Sequence, residues 1–187
     1  MNGYQVQEEQ SLTHRAREGD KEAFAQLYEN YFDKIYRYVV LKIGKADAED
    51  VTQQVFIKAL QAIASFKWRG IPFSAWLFRI AHNQVVDYFR KEKKVIKVPL
   101  NESSFRSDSD PQQMAERSLD IEQLISATRQ LTRAQREVIG LRFAGELSIT
   151  ETARVMSKSE GAIKALQHSA IVALRKTMPR TRNNEQG

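Results

Sequence analysis

Hydrophobic residues recur at helical spacing through the first quarter of the chain. Leu27, Tyr31 and Ile35 follow one another at four-residue steps, and neighbouring apolar positions widen the same face. Such a stripe is typical of an amphipathic helix with one buried side. Asp20 suits the N-cap of this helix, because its carboxylate can accept hydrogen bonds from backbone N–H groups. Gly44 suits the C-terminal end, because glycine readily adopts the left-handed backbone that often ends a helix. The pattern predicts a helix between these two residues.

Two more helices are predicted before residue 97. One begins near Asp47, where acidic side chains in the first turn interact favourably with the helix dipole. The other runs from about Phe73 to Lys93, after a break at residues 70–72 that contains glycine and proline. The first half of the chain is therefore predicted to be a bundle of three or four helices.

The last third of the chain contains a sharper helical pattern. Thr132 is placed to cap one helix that Gly145 closes, and Ser148 with Glu151 has the spacing of a capping box for a short helix. Ser159 then caps a final helix. Two helices joined by so tight a turn predict a helix-turn-helix motif. An ordinary helical hairpin is the alternative interpretation.

The stretch between the two helical regions lacks helical periodicity. Residues 98–111 contain two prolines and four serines, a composition typical of a linker. The predicted fold class is all-α, with two small helical domains joined by a flexible linker. The predicted boundaries are an N-terminal tail at residues 1–19, a first domain at 20–97, an acidic linker at 98–118, a second domain at 119–178 and a C-terminal tail at 179–187.

The composition and charge of the chain exclude several kinds of functional site. The chain has 187 residues, a formal net charge of +6 and no cysteine, which excludes disulfides, a thiol nucleophile and cysteine-ligated metal sites. Its three histidines lie far apart in sequence, and no apolar run is long enough to span a membrane. The regions on either side of the linker each carry a net charge of +4, and the linker carries −2. Two basic domains favour a polyanionic partner such as nucleic acid, with an inert basic surface as the alternative.

The third predicted helix carries a polar stripe. Trp76, Arg79, Asn83, Asp87 and Arg90 follow at three- or four-residue steps, so they share one face. An aromatic ring can stack on bases, an amide can read base edges, and cations can hold phosphates. The stripe therefore predicts contact with single-stranded or melted nucleic acid. The alternative is that Trp76 belongs to the core and that the basic residues form a solvated helix end.

The outward face of the last predicted helix carries four polar residues. Glu160, Lys164, Gln167 and His168 can all reach base edges in a major groove, as the second helix of a helix-turn-helix does. One residue departs from this motif. Ser157 occupies the tight turn, where glycine is usually preferred because it adopts a left-handed backbone without strain.

Three blocks of sequence resemble one known family. Residues 47–60 (DAEDVTQQVFIKAL) resemble the polymerase-binding helix of bacterial extracytoplasmic-function sigma factors, and residues 73–90 (FSAWLFRIAHNQVVDYFR) resemble their promoter-melting helix. Residues 131–139, 151–153 and 161–164 are similar to their helix-turn-helix domain. The order and spacing of the blocks match as well. The resemblance covers roughly residues 20–97 and 119–178.

The resemblance implies a protein that binds core RNA polymerase, recognises the −10 and −35 promoter elements and helps to open the duplex. The loop at residues 66–72 would receive a flipped base. The implied polymerase contacts are Asp47, Asp50, Gln53, Gln54 and Phe56. The implied −10 contacts are Phe66, Lys67, Trp76, Arg79, Asn83, Asp87, Arg90 and Lys91. The implied −35 contacts are Arg142, Lys158, Ser159, Glu160, Gly161, Lys164, Gln167 and His168.

Two other classes of function fit the sequence less well. A helix-turn-helix regulator that acts without polymerase leaves the acidic and amide-rich face at residues 47–54 unexplained. An enzyme is disfavoured by the missing cysteine, the scattered histidines and the lack of a glycine-rich phosphate loop. The expected partners are core RNA polymerase and promoter DNA, in the cytoplasm and without membrane insertion or a cofactor. An anti-sigma factor is a further candidate partner.

Overall fold

The computed structural model describes residues 3–67, 71–92, 127–128 and 130–177. The predicted linker at 98–118 and the tail at 179–187 lie outside these residues. The described part contains seven α-helices and no strand, so the predicted all-α fold class is confirmed. The helices are α1 (Gly3–Arg17), α2 (Lys21–Ile43), α3 (Ala48–Ala62), α4 (Phe73–Glu92), α5 (Arg133–Ile139), α6 (Ile149–Met156) and α7 (Glu160–Thr177). A short 3₁₀ turn (Ile63–Ser65) follows α3, and a π-helical turn (Gly140–Ala144) follows α5.

Local capping chemistry sets the helix ends where the sequence predicts them. The Asp20 carboxylate accepts from the backbone N–H groups of Glu22 and Ala23, each at 3.0 Å. Gly44 ends α2 at a φ of 87°, in the region that favours glycine. Thr132 and Ser148 each form a complete capping box at the starts of α5 and α6. These predicted boundaries are confirmed.

The N-terminal residues form a helix rather than the predicted tail. Leu12, Thr13 and Ala16 of α1 are buried against the first domain, and Tyr31 of α2 donates a hydrogen bond to Glu9. The prediction of a tail is therefore wrong for residues 3–17. The apolar signal of α1 was weak, because its buried face uses few large hydrophobic side chains among many polar ones.

The first domain is a bundle in which α1, α3 and α4 pack around α2. Its core contains fully buried Leu27, Ile35, Val55, Phe73 and Leu77. The helix-turn-helix of the second domain has a smaller core, in which Val138, Ala153 and Ile163 meet between α5, α6 and α7. The small side chain of Ala153 lets α6 approach its neighbours closely.

The two domains pack directly against one another. Leu141, Ala144 and Leu147 of the second domain join the hydrophobic core of the first. The π-helical turn packs on α2, and α6 packs on α4. Gly145 lies against Phe78, and a Cβ atom there would come within 2.6 Å of the Phe78 ring. The described residues of the two domains therefore form one continuous body.

Candidate polymerase and promoter surfaces

One side of α3 is a solvent-exposed face of mixed character. Asp50, Gln53 and Gln54 are exposed, as the sequence predicts. The same side also carries Ile57, which is 46% exposed, and Leu60, which is 55% exposed. These two apolar side chains were not among the predicted contacts. Their positions in the helical repeat place them away from the buried face of α3, and this signal could have identified them. We call residues Asp50, Gln53, Gln54, Ile57 and Leu60 the α3 surface.

Two residues predicted for polymerase contact have different roles in the structure. Phe56 is only 4% exposed, and its ring centroid lies 4.6 Å from that of Tyr28 and 6.2 Å from that of Phe32. Its prediction as a surface contact is wrong, because the side chain belongs to the core. Asp47 is exposed, but its carboxylate accepts a 2.6 Å hydrogen bond from the Tyr88 hydroxyl, which ties α3 to α4.

The predicted promoter-melting face lies on α4. Arg79, Asn83, Arg90 and Lys91 are exposed on this helix. Trp76 is half-buried and packs against the core, which places it behind these residues rather than among them. The face combines cationic and amide side chains, as nucleic-acid contact requires.

The aromatic support of this face includes Phe66, which was predicted to touch DNA. Phe66 is 4% exposed, and its ring centroid lies 5.0 Å from that of Trp76 and 6.2 Å from that of Phe73. It is a core residue, and its prediction as a DNA contact is wrong. The neighbouring Lys67 is exposed. Residues 68–70 of the predicted base-receiving loop lie outside the described residues.

Asp87 lies on the same side of α4 and organises its neighbours. Its carboxylate is 3.1 Å from the Arg90 guanidinium and 4.0 Å from Lys58 Nζ. All three side chains are substantially accessible to water, so these ion pairs add little to stability. Asp87 instead orients Arg90, and its negative charge makes it a poor phosphate contact.

The predicted −35 face lies on α7, where Lys164 and His168 are exposed. Gln167 is half-buried, and its Oε1 atom accepts a 2.9 Å hydrogen bond from Nε of Arg142. A guanidinium has only donors, so the amide must turn its oxygen toward Arg142 and its NH₂ group away. The Arg142 guanidinium is also held by the carbonyl oxygen of Leu147. Arg142 therefore fixes the orientation of Gln167.

The first turn of α7 uses two of its predicted DNA contacts internally. Ser159 Oγ accepts from the Ala162 backbone N–H at 3.2 Å and so caps the helix. The Glu160 carboxylate accepts a 2.6 Å hydrogen bond from the Thr150 hydroxyl of α6. Lys158 and Gly161 are exposed beside them. Both exposed positions keep this turn accessible to a DNA backbone.

Comparison with known proteins matches both domains to one family. The profile of Sigma-70 region 2 matches residues 27–95, and that of Sigma-70 region 4 matches residues 128–176. The ECF RNA polymerase sigma factor SigX of Bacillus subtilis is 31% identical over 167 residues, which cover 84% of each chain. This chain belongs to the ECF RNA polymerase sigma factors. The ECF sigma factor BldN of Streptomyces coelicolor is 40% identical over 171 residues, which are 90% of this sigma factor and 65% of BldN.

A solved structure shares the arrangement of this sigma factor. CnrH, determined in complex with the cytosolic domain of CnrY, superposes with a TM-score of 0.68 at 28% identity. The match covers 90% of this chain and 96% of CnrH. In the described residues, no helix is both long enough and apolar enough to cross a membrane.

The turn of the helix-turn-helix gives a prediction on stability. Ser157 has φ 53° and ψ 46°, a left-handed conformation that disfavours residues with a Cβ atom. Replacing Ser157 by glycine is expected to raise the free energy of unfolding by about 0.5–1 kcal/mol, because the relief of strain exceeds the entropy that glycine loses. Thermal denaturation checks this. Ala165→Gly, at an exposed helical position, should instead lower stability by about 1 kcal/mol. A destabilised Ser157→Gly variant would contradict the prediction.

Four residues between the domains were not predicted as a site. Tyr38, Lys42 and His82 of the first domain surround Glu137 of the second. Glu137 lies in one of the blocks that resemble the family, but nothing in its local sequence indicates partners so far along the chain. We call these four residues the interdomain cluster.

Proposed function

We propose that this protein is an alternative sigma factor that binds core RNA polymerase and directs transcription initiation at promoters with −10 and −35 elements. The observation that carries this function is the α3 surface. A helix-turn-helix regulator has no need of a second exposed face that combines Asp50, two amides and two large apolar side chains. Because the chain belongs to the sigma family, core RNA polymerase is the partner that we expect this face to bind. Polymerase supplies the chemistry, so no catalytic residue and no cofactor is assigned to this chain.

The α3 surface suits a protein partner better than it suits DNA. Ile57 and Leu60 lose water when covered, which favours association in proportion to the apolar area removed. Asp50 gives the face a negative charge, which would steer it toward a basic surface and away from phosphates. Mixed apolar and polar character is typical of specific protein interfaces. We assign core-polymerase binding to Asp50, Gln53 and Gln54, together with these two apolar residues.

On the −10 side, α4 would hold the opened strand. Arg79, Arg90 and Lys91 would contact phosphates, and Asn83 would hydrogen-bond the edge of an exposed base. Trp76 would support this site from behind, since it packs on Phe66 and Phe73 at centroid distances of 5.0 and 5.4 Å. A rigid aromatic group beneath the face keeps the contacting side chains in place.

Replacing Asn83 by alanine is expected to reduce promoter opening about tenfold while changing closed-complex binding less than twofold. The physical reason is that a base edge becomes available to the amide only after strand separation, and such contacts contribute about 1–3 kcal/mol. A fluorescent base in the −10 element of a promoter obtained by selection measures opening directly. Asn30→Ala, an exposed asparagine on α2, is the matched control. Equal losses in both steps would make Asn83 a docking residue instead.

On the −35 side, α7 would enter the major groove. Arg142 leaves the NH₂ group of Gln167 directed outward, which suits an acceptor on a base edge such as guanine O6 or N7, or thymine O4. Lys164 and His168 flank this amide on the exposed face. Lys158 and the backbone near Gly161 would contact phosphates at the start of the helix.

A protein regulator is part of the same proposal. CnrH is bound to the cytosolic domain of CnrY in its structure. We propose that a protein partner of this kind, an anti-sigma factor, controls the access of this sigma factor to polymerase. The site of action would be the cytoplasm, where core polymerase and the chromosome are found.

Direct binding to core RNA polymerase tests the proposed function. Purified core enzyme on a biosensor surface should bind the protein saturably with one-to-one stoichiometry, and the complex should then retain promoter DNA that core enzyme alone does not retain. A helix-turn-helix regulator that acts alone would bind DNA specifically without polymerase and would give no signal on the core enzyme. That second result would overturn the proposed function.

A further inference from the structure

The interdomain cluster is a polar contact between α2, α4 and α5, in which Tyr38, Glu137 and the Lys42 side chain are buried and His82 is half-buried. The Tyr38 hydroxyl donates to Oε1 of Glu137 at 2.7 Å, and Lys42 Nζ lies 2.8 Å from Oε2. Nδ1 of His82 lies 3.1 Å from Oε1. Lys42 also donates to the carbonyl oxygen of Arg136 at 3.0 Å. One carboxylate of the second domain is therefore held by three side chains of the first.

Most groups in this contact are buried, so separating the two domains would expose them to water. Glu137 is 9% exposed and Tyr38 is fully buried. Burial alone would raise the pKa of Glu137. Three neighbours outweigh this effect and lower the pKa to about 2: His82 through a hydrogen bond, Lys42 through its charge and a hydrogen bond, and Tyr38 through a hydrogen bond. The carboxylate is thus ionised at neutral pH. A buried charge is tolerated only when it is paired, so Glu137 and Lys42 depend on each other across the interface.

Two other glutamates of the second domain also contact polar side chains of the first domain. Glu146 pairs with Arg37 at 2.7 Å and with Lys34 at 3.2 Å. The buried carboxylate of Glu151 accepts a hydrogen bond from Ser74. Because both Glu137 and Glu151 are buried, the interface is a specific contact and not a loose apposition of two surfaces.

This arrangement covers part of the proposed −10 surface. The Arg79 guanidinium donates to the carbonyl oxygen of Arg154 at 3.1 Å, so a proposed DNA contact is occupied by the second domain. Ser74 and Phe78 on the adjacent side of α4 are buried. Two promoter elements about two helical turns apart are separated by about 70 Å, whereas here the two DNA-binding domains share one core. Simultaneous binding to both elements requires the domains to separate.

We propose that the interdomain cluster of Tyr38, Lys42, His82 and Glu137 is a latch that holds the second domain against α4 and keeps the protein in a closed form unable to bind a promoter. This inference rests on the proposed sigma function for its consequence, but the latch itself is a property of the chain alone. Binding of α3 to polymerase opens the latch by stabilising the separated domains, since a partner that prefers one conformation shifts the population toward it.

Fluorescence transfer within the free protein tests the latch. The chain has no cysteine, so Lys21→Cys on α2 and Arg175→Cys on α7 provide two exposed labelling sites, one in each domain. The parent should show one main population of fixed transfer efficiency. Glu137→Gln leaves Lys42 buried without its counter-charge and should raise the ratio of open to closed molecules at least tenfold. Glu29→Gln, which removes the same charge from an exposed position, should leave the ratio at the parent value.

Two further variants separate the latch from a general loss of structure. Gly145→Ala should also open the molecule, because its added methyl group would clash with the Phe78 ring. If circular dichroism shows that Glu137→Gln loses helix content, Gly145→Ala becomes the variant that tests the latch. Lys42→Met added to Glu137→Gln removes the unpaired buried charge and should restore at least part of the closed population. Parent-like transfer efficiency in both Glu137→Gln and Gly145→Ala would overturn the latch.

Adding core polymerase distinguishes failure of the latch from failure of the proposed function. Core enzyme should shift the labelled parent to low transfer efficiency. If Glu137→Gln opens the free protein but polymerase leaves the parent closed, the latch stands and the sigma function fails. If polymerase opens the parent but neither Glu137→Gln nor Gly145→Ala changes the free protein, the function stands and the latch fails.

Discussion

The double substitution Asp50→Lys with Gln54→Lys is expected to weaken binding to core polymerase about 100-fold. Both residues are exposed on the α3 surface, one turn apart, and neither contributes to the core. The substitution replaces one negative and one neutral side chain by two cations, so a basic partner would meet like charge. Such juxtaposition at an interface costs several kcal/mol, and about 2.7 kcal/mol corresponds to 100-fold. Biosensor titration against purified core enzyme measures the change.

A matched control exists on the neighbouring helix. Glu22→Lys with Gln26→Lys makes the same kind of change at exposed positions with the same spacing, and it also begins in the first turn of a helix. It therefore reproduces the unfavourable effect of a cation near a helix N-terminus. Both doubles should have similar thermal stability, and only the α3 double should lose polymerase affinity. Equal affinity of the two doubles would show that α3 is not the polymerase surface.

Replacing Gln167 by alanine is expected to abolish preference for one base pair of the −35 element, a loss of about 1–3 kcal/mol in discrimination at that position. The sharper variant is Gln167→Glu. It keeps an oxygen acceptor for Arg142 but removes the NH₂ group that would contact the base. Both variants should lose the same base preference. Binding-site selection on a randomised −35 element, performed with the polymerase complex, measures it.

Lys164→Ala provides the contrast on the same exposed face. A lysine that contacts phosphate contributes equally to all sequences, so its loss should weaken binding uniformly and reduce the salt dependence by about one unit of slope. The base preference of the selected sites should stay unchanged. Unaltered base preference in Gln167→Ala would instead mean that Gln167 only supports Arg142 and the helix.

Most of the helical framework could be predicted because local signals determine it. Asp20, Thr132 and Ser148 cap helices at the positions that their side-chain chemistry predicts. The buried faces follow from apolar spacing alone, without any knowledge of tertiary contacts. Helix α1 was missed because Leu12 and Ala16 provide too weak a stripe to be distinguished from a polar tail.

Surface assignments were less predictable than helices. Phe56 and Phe66 were assigned to partners by resemblance, yet both are 4% exposed. For Phe56 the sequence already contained a correction, since it lies one turn from buried Thr52 and Ala59 and so belongs to the inner face. Phe66 follows the end of a helix, where periodicity gives no direction, so only tertiary structure shows that its ring packs on Trp76.

The interdomain cluster could not have been predicted from local pattern. Tyr38 and Glu137 are 99 residues apart, and His82 and Glu137 are 55 residues apart. Each of these side chains, considered alone, is an ordinary polar residue on an amphipathic helix. Their partnership depends on how the two domains dock against one another, and no periodic signal in the sequence encodes that geometry.

Promoter-specific transcription by core polymerase measures the central claim most directly. Core enzyme alone should give no specific run-off product from a library of bacterial promoter fragments. Core enzyme with this protein should initiate at a defined start site on a subset of them, and the Asp50→Lys, Gln54→Lys double should lose that product. If the protein binds promoter fragments specifically but never yields a discrete transcript with core polymerase, it does not act as a sigma factor.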